Sequence, residues 1–283
     1  MIESTNVKLG KWFFIYPLLI FGSIVMLFPL AWTFSTSLKT AETVTLREIQ
    51  LIPDPIVWAN YATIFQEVPL LRYTSNTLIM VSASIIGSLI VCSLTGYAFA
   101  RIPFPGRDYF FVILLSTMMI PYVVRIIPLF VIFDSLGWIN TFLPLTIPRL
   151  LGHDAFYIFL MRQFFRGIPE ELSDAALIDG CSDFGIWWRI IIPNSKPVLA
   201  AVAIFSFQFA WNDFLSPLIY LGSNQDLWTL ALGLNAQKGF EGEIASLHKM
   251  MVISIYMILP VLAIFSIGQK YMIQGVTFTG LKG

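Results

Sequence analysis

The sequence predicts an all-α integral membrane protein of about six spanning helices that carries one water-compatible helical island. Three observations lead there. The composition is 57% hydrophobic and only 12% charged, with a mean hydropathy of +0.77, whereas soluble domains carry about 25% charged residues. Apolar stretches recur at lengths close to the ~20 residues that a helix needs to cross a bilayer. One stretch, Pro169-Glu170-Glu171-Leu172-Ser173-Asp174-Ala175-Ala176-Leu177-Ile178-Asp179-Gly180-Cys181, interrupts them with acids and small residues.

The first apolar run, from Trp12 to about Phe34, follows a tail bearing Lys8 and Lys11. It exceeds the ~7–15 residues of a signal-peptide core and reads as an uncleaved span. Pro17 and Pro29 fall near its ends, where bends or neighbouring helices absorb the lost hydrogen bonds. From Ser35 to Leu71 charges mix with Pro53 and Pro55, which predicts a folded extramembrane loop with one short helix around Tyr61 to Phe65.

A second span covers about Thr74 to Ala100. Its small residues, among them Ser84, Gly87, Ser88, Ser93 and Gly96, predict tight packing inside a bundle. The third, about Asp108 to Phe133, is broken by Pro121 and Pro128, and a turn at 134–141 leads into the fourth, about Phe142 to Met161. After the island come a fifth span from about Val198 to Tyr220, a polar loop from Gly222 to Lys249, a sixth span from about Met251 to Ile267 and a short tail. With the N-terminus inside, Lys8, Lys11, Arg101, Arg107, Arg162, Arg166, Arg189, Lys196, Lys270 and Lys282 fall on the cytoplasmic side. That excess places both termini and the island in the cytoplasm.

The island reads as two short helices meeting at Gly180. Pro169 is placed in the first turn, where a missing N–H costs nothing, and Glu170 and Glu171 sit where the helix dipole favours negative charge. Gly180 ends this helix in a left-handed cap, and Ser182 with Asp183 caps the next, which runs through Phe184, Trp187 and Trp188. Leu172, Ala175, Ala176 and Asp179 share a face by helical spacing, and the alanines let another backbone come close.

Asp174-Ala175-Ala176-Leu177-Ile178-Asp179-Gly180, with Pro193 thirteen residues beyond the glycine, resembles the EAA loop of binding-protein-dependent ABC importer permeases, whose pattern is E-A-A-x-x-x-G-x(9)-I-x-L-P. Asp174 stands where that family usually has Glu, and Ile192 stands for Leu. The flanks Leu160-Met161-Arg162-Gln163-Phe164-Phe165 and Asn194-Ser195-Lys196-Pro197, and the closing residues Gly275 to Gly283, resemble the carbohydrate-uptake branch. The resemblance implies a type I ABC importer permease fold in a bacterial inner membrane. Residues 72–270 would be the transmembrane domain, with a coupling loop at 162–197, and residues 1–71 and 271–283 would flank it. It also implies two ABC ATPase subunits, a second homologous permease and an extracytoplasmic sugar-binding protein as partners. Glu170, Asp174, Ala175, Ala176, Asp179, Gly180, Pro193 and Lys282 are then expected to face the ATPase. No G-x-x-x-x-G-K-S/T loop occurs in the chain, so ATP and Mg would be held by those subunits, with no cofactor or metal and no catalysis here.

Arg125, Arg149, His153 and Asp154 are ionisable groups expected at or near membrane depth. Such groups cost ~2.5–3.5 kcal/mol at mid-helix and normally face a bundle interior or water. Arg149 and His153, one turn apart, are expected on one face of a polar patch lining the translocation path, in which Arg125 and Arg149 are placed to meet carboxylate or phosphate on a substrate. Equally, Arg149 can pair with Asp154 or another acid while Arg125 snorkels to the interface. Trp211, Asn212, Asp213 and Phe214 form a second candidate cluster, because aromatic faces with an amide and an acid suit sugar rings. A W-N-x-F/Y pattern here also resembles the sugar permeases, and packing between subunits is the bland alternative.

Other classes fit less well. The formal charge is zero, from 17 basic and 17 acidic residues, which leaves no basic field for nucleic acid. Cys92 and Cys181 are far apart and no Cys/His cluster occurs, so neither a disulfide framework nor a zinc site is expected. An integral-membrane enzyme would use Asp174, Asp179 and Asp183 as a metal set, yet five residues of helix turn ~500°, leaving the first two carboxylates ~140° apart. A stand-alone secondary transporter would need two matching halves, and no internal repeat is visible.

Overall fold

The structure, a computed structural model, describes the backbone of residues 3–45, 50–152, 154–240 and 246–279. Among these residues all regular structure is helical. Three helices are long and apolar enough to cross a membrane, and two bent pairs raise the number to five if each pair is one span. The chain divides into two compact units, residues 1–69 with 234–259, and residues 70–233 with 260–283.

In the first unit, α1 (Glu3–Ser37) contains Pro17 and Pro29 without ending at either. Its apolar side chains from Phe14 to Phe28 are exposed on all sides, as suits a helix bathed in lipid. The C-terminal end is fastened to the following loop. Asn60 Nδ2 donates to the carbonyls of Ser37 and Lys39, each at 2.9 Å, and the Ser37 and Tyr61 hydroxyls lie 2.7 Å apart. After α2 (Ala41–Thr45), α3 (Asn60–Glu67) is the helix expected around Tyr61, and Lys249 reaches its Glu67 at 3.0 Å.

The second unit is organised around the continuous span Leu70–Arg101, formed by α4 (Leu70–Gly87), a π-turn at Ser88–Cys92 and α5 (Ser93–Arg101). Half of this span is buried, and its small residues are where neighbours come closest. A Cβ on Gly87 would lie 1.9 Å from the Arg149 carbonyl oxygen, and one on Gly96 would lie 2.7 Å from Met161 Cβ. Those two glycines therefore fix how near the later helices pack.

The third expected span is two helices, α6 (Arg107–Ser116) and α7 (Tyr122–Ser135), bent by 98° at the break before Tyr122. Pro121 sets that break, whereas Pro128 lies inside α7 without ending it. The fourth expected span, 142–161, is also divided. Here α8 (Leu143–Leu150) and α9 (Ala155–Arg166) flank a turn in which Gly152 takes φ +70°, and neither is long enough to cross alone.

The island supplies α10 (Glu171–Ile178) and α11 (Asp183–Ile186), the latter running on through a π-turn into α12 (Ile192–Asn194). This segment meets α13 (Lys196–Trp211) at 84°. The fifth expected span then breaks at 212–214 before α14 (Leu215–Tyr220). The loop expected to be polar holds α15 (Leu230–Phe240), because Leu230 and Leu232 are buried. Finally α16 (Leu247–Thr279) outruns the expected sixth span by about three turns into the segment read as a short tail.

The buried centre beneath the island is formed by Met161, Phe165, Ile186, Trp187, Ile191 and Val202.

Candidate functional site

The island is a rigid corner. Cys181 N–H donates to the Ala176 carbonyl at 2.9 Å and Gly180 N–H to the Leu177 carbonyl at 3.0 Å, a Schellman cap that requires the φ of +78° found at Gly180. Ser182 caps α11 by accepting from Gly185 N–H at 3.3 Å. Pro169 lies outside the first turn, contrary to the sequence expectation. The helical hydrogen bonds start at the Glu170 carbonyl, which accepts from Ser173 and Asp174, so Glu170 is the N-cap.

The face expected to unite Leu172, Ala175, Ala176 and Asp179 is divided. Ala176 turns inward and is buried beside Ile186 and Trp187, while Leu172, Asp174, Ala175 and Asp179 are exposed. Two large apolar side chains join the exposed edge, Leu177 and Ile178, the latter 87% accessible. Pro193 is also exposed, at the bend into α13.

Two arginines with buried side chains tie these elements together, one of them reaching the corner itself. Arg101, at the end of α5, donates to the carbonyls of Phe165 and Ile168 and lies 3.3 Å from the exposed Glu170 carboxylate. Arg162 donates to the Phe99 carbonyl at 3.2 Å, stacks 3.9 Å over the Phe111 ring and approaches Asp108 at 3.5 Å. Expected from the sequence only as cytoplasmic charges, Arg101 clamps α5 to the end of α9 and the start of the island, and Arg162 clamps α9 to α5 and α6. Burial lowers the Arg162 pKa from its ordinary value, with Arg166 adding to that effect.

Arg149, His153 and Asp154 do not form a patch on one helix, because α8 ends at Leu150 and the turn through Gly152 separates Arg149 from Asp154. His153 lies outside the described residues. Asp154 precedes α9, and its carbonyl accepts from Tyr157 and Ile158. Arg149 instead makes a buried ion pair with Asp213 at 2.5 Å, with side-chain exposures of 7% and 8%. The other Asp213 oxygen accepts from Ser216 N–H at 3.1 Å, and the Ser216 hydroxyl lies 2.9 Å from that of Tyr122. Arg125, half-buried in α7, reaches this network through Tyr122, its guanidinium carbon 5.9 Å from the centre of that ring.

Asp213 is also one wall of an open cavity of about 700 Å³. Phe156, Tyr157, Phe205, Phe209 and Phe214 give it aromatic sides, and Gln208 and Asn212 bring amides. Of the expected cluster, Asn212, Asp213 and Phe214 reach this space and Trp211 does not. Trp211 is buried and stacks on Phe207 at 5.3 Å between ring centres. Among the described residues no group of three His, Cys, Asp or Glu is placed to hold a metal.

Residues 92–278 match the family described as "Binding-protein-dependent transport system inner membrane component". The chain belongs to this family. It is 34% identical over 266 residues to the arabinooligosaccharides transport system permease protein AraQ of Halalkalibacterium halodurans, covering 93% of this chain and 94% of that one. It is 30% identical over 281 residues to the sn-glycerol-3-phosphate transport system permease protein UgpE of Yersinia enterocolitica, covering 97% and 98%. Its fold matches a bacterial ABC transporter involved in the import of the acidic polysaccharide alginate with a TM-score of 0.81 at 24% identity, over 95% of this chain and 98% of that chain. The protein is thus a non-catalytic permease subunit of an inner-membrane ABC transport system, with the type I importer fold.

Proposed function

We propose that this permease imports a carbohydrate and that its 162–197 loop couples uptake to ATP hydrolysis on separate subunits. The observation that carries the coupling reading is the exposed edge of α10. Ala175, Leu177, Ile178 and Asp179 stand out from a corner fixed by the Gly180 cap and the Arg101 clamp. Lipid does not explain such an edge, since acids flank the apolar groups, and a grooved protein partner does.

On this reading Glu170, Asp174, Ala175, Asp179, Gly180 and Pro193 meet the ATPase, as does Lys282, which lies outside the described residues, while Ala176 seats the helix on its own protein. Closure of the paired ATPases around ATP and Mg rocks this corner as a rigid body, and the bent spans transmit the motion to the cavity. Residues 72–270 act as the transmembrane core beside a second, homologous permease. An extracytoplasmic binding protein delivers substrate, and both termini are cytoplasmic, following the bias of Lys and Arg. Carbohydrate as the cargo is supported by the arabinooligosaccharide relative and by the aromatic and amide lining of the cavity, which suits sugar rings and hydroxyls.

The experiment is co-purification. Gly180→Pro removes a φ that proline cannot adopt, and Ala175→Trp fills the exposed edge. Both are expected to insert in the membrane at wild-type levels and to lose the ATPase and ATP-driven uptake. Normal recovery of the ATPase with both variants contradicts the coupling reading.

A further inference from the structure

The cavity beside α13 contains the information to choose between two kinds of saccharide. We propose that the wall contributed by this subunit selects an uncharged sugar unit and disfavours a uronate or sugar phosphate. The proposal rests on the carbohydrate reading above and adds the charge class of the ring.

Among the described residues that line the space, none is basic, and the carboxylate of Asp213 is the one acidic group. That carboxylate is already satisfied, by Arg149 through one oxygen and by Ser216 N–H through the other. Arg149 is a cation close by, but it is 7% exposed and outside the lining; one terminal nitrogen pairs with Asp213 and the other is buried, away from the space. An anion entering here must shed water without gaining a counter-charge, which is unfavourable. A neutral ring meets no such penalty. Its apolar face can lie on Phe156 or Phe209, and its hydroxyls find the amides of Gln208 and Asn212. Relatives of this chain include a system named for glycerol-3-phosphate, so the choice is not set by the fold.

The test uses the intact permease–ATPase assembly in detergent without binding protein, so that selectivity measured belongs to the membrane part. Ligand-observed NMR titrations compare cellobiose and arabinobiose with diglucuronate and digalacturonate. The expected result is binding of a neutral disaccharide with uronates weaker by roughly tenfold or more. Asn212→Trp, which fills the cavity, is expected to abolish the neutral signal. Asp213→Asn leaves the Arg149 charge uncompensated and is expected to move the ratio toward uronate by roughly tenfold. A gain of uronate binding cannot come from misfolding. Equal or tighter uronate binding by the wild type overturns the proposal and leaves carbohydrate transport standing. Binding of neither class, or neutral binding that survives Asn212→Trp, shows that the cavity is not a sugar site.

Discussion

Arg149 and Asp213 sit 64 residues apart in sequence and form a buried ion pair that ties the last turn of α8 to the break between α13 and α14. The pair explains why a charged residue is tolerated on each side. Either one alone would be an uncompensated charge in an apolar surround, and removing one partner of such a pair typically costs about 3–5 kcal/mol.

Arg149→Ala and Asp213→Ala are therefore each expected to lower thermal stability in detergent sharply, by about that amount. Arg149→Met with Asp213→Leu should recover much of the loss, because an apolar pair leaves no orphaned charge. A double variant as unstable as the sum of the single ones, measured by thermal unfolding of the purified protein, would show that the two sites are not coupled.

Gly87 is expected to tolerate no side chain. A methyl group placed there falls 1.9 Å from the Arg149 carbonyl oxygen, which is backbone and cannot swing away. Gly87→Ala should push α4 and α8 apart, destabilise by about 1–3 kcal/mol or more and reduce the folded yield in membranes. Gly22→Ala in α1, where nothing lies within 4 Å, serves as the silent comparison. Equal thermal stability of the two variants would contradict the packing described.

Arg101 should matter for coupling more than for insertion. It joins α5 to the Phe165 and Ile168 carbonyls and to Glu170, so Arg101→Ala frees the island from the bundle. Limited proteolysis is expected to cut 167–182 several times faster in the variant, with membrane insertion unchanged. Glu170→Gln should have little effect, since that carboxylate is 83% exposed and solvent-screened. Similar proteolysis of Arg101→Ala and wild type would show that the clamp does not restrain the island.

Much of this architecture was legible because local chemistry and tertiary demand agree. The small residues of the second span announced a packed helix, Pro121 announced a break, and Gly180 followed by Ser182 announced the corner, each through a backbone rule that needs no partner. What stayed hidden depends on distant pairing. Spacing placed Arg149 on a face with His153, but Gly152 turns the chain first, and the acid that meets Arg149 comes from another span. Trp211 shows the same limit: its neighbours Asn212 and Asp213 reach the cavity, while the helix carries its own ring onto Phe207. The helix at Leu230–Phe240 was masked by polar flanks, although Leu230-Ala231-Leu232 held an apolar signal. Arg101 and Arg162 counted as topology signals, and no sequence rule distinguishes a free cytoplasmic arginine from one that caps carbonyls.

If an ATPase grips the permease at the exposed edge of α10, Ile178, its most prominent side chain, is the place to detect it. In a Cys181→Ser background, Ile178→Cys carrying a short photo-cross-linker should join the ATPase in the assembled transporter, with a yield that changes when ATP is trapped. The same probe at Val131, exposed on α7 away from the island, should not. Cross-linking of Ile178 to lipid or to the binding protein, with none to the ATPase, would contradict the account.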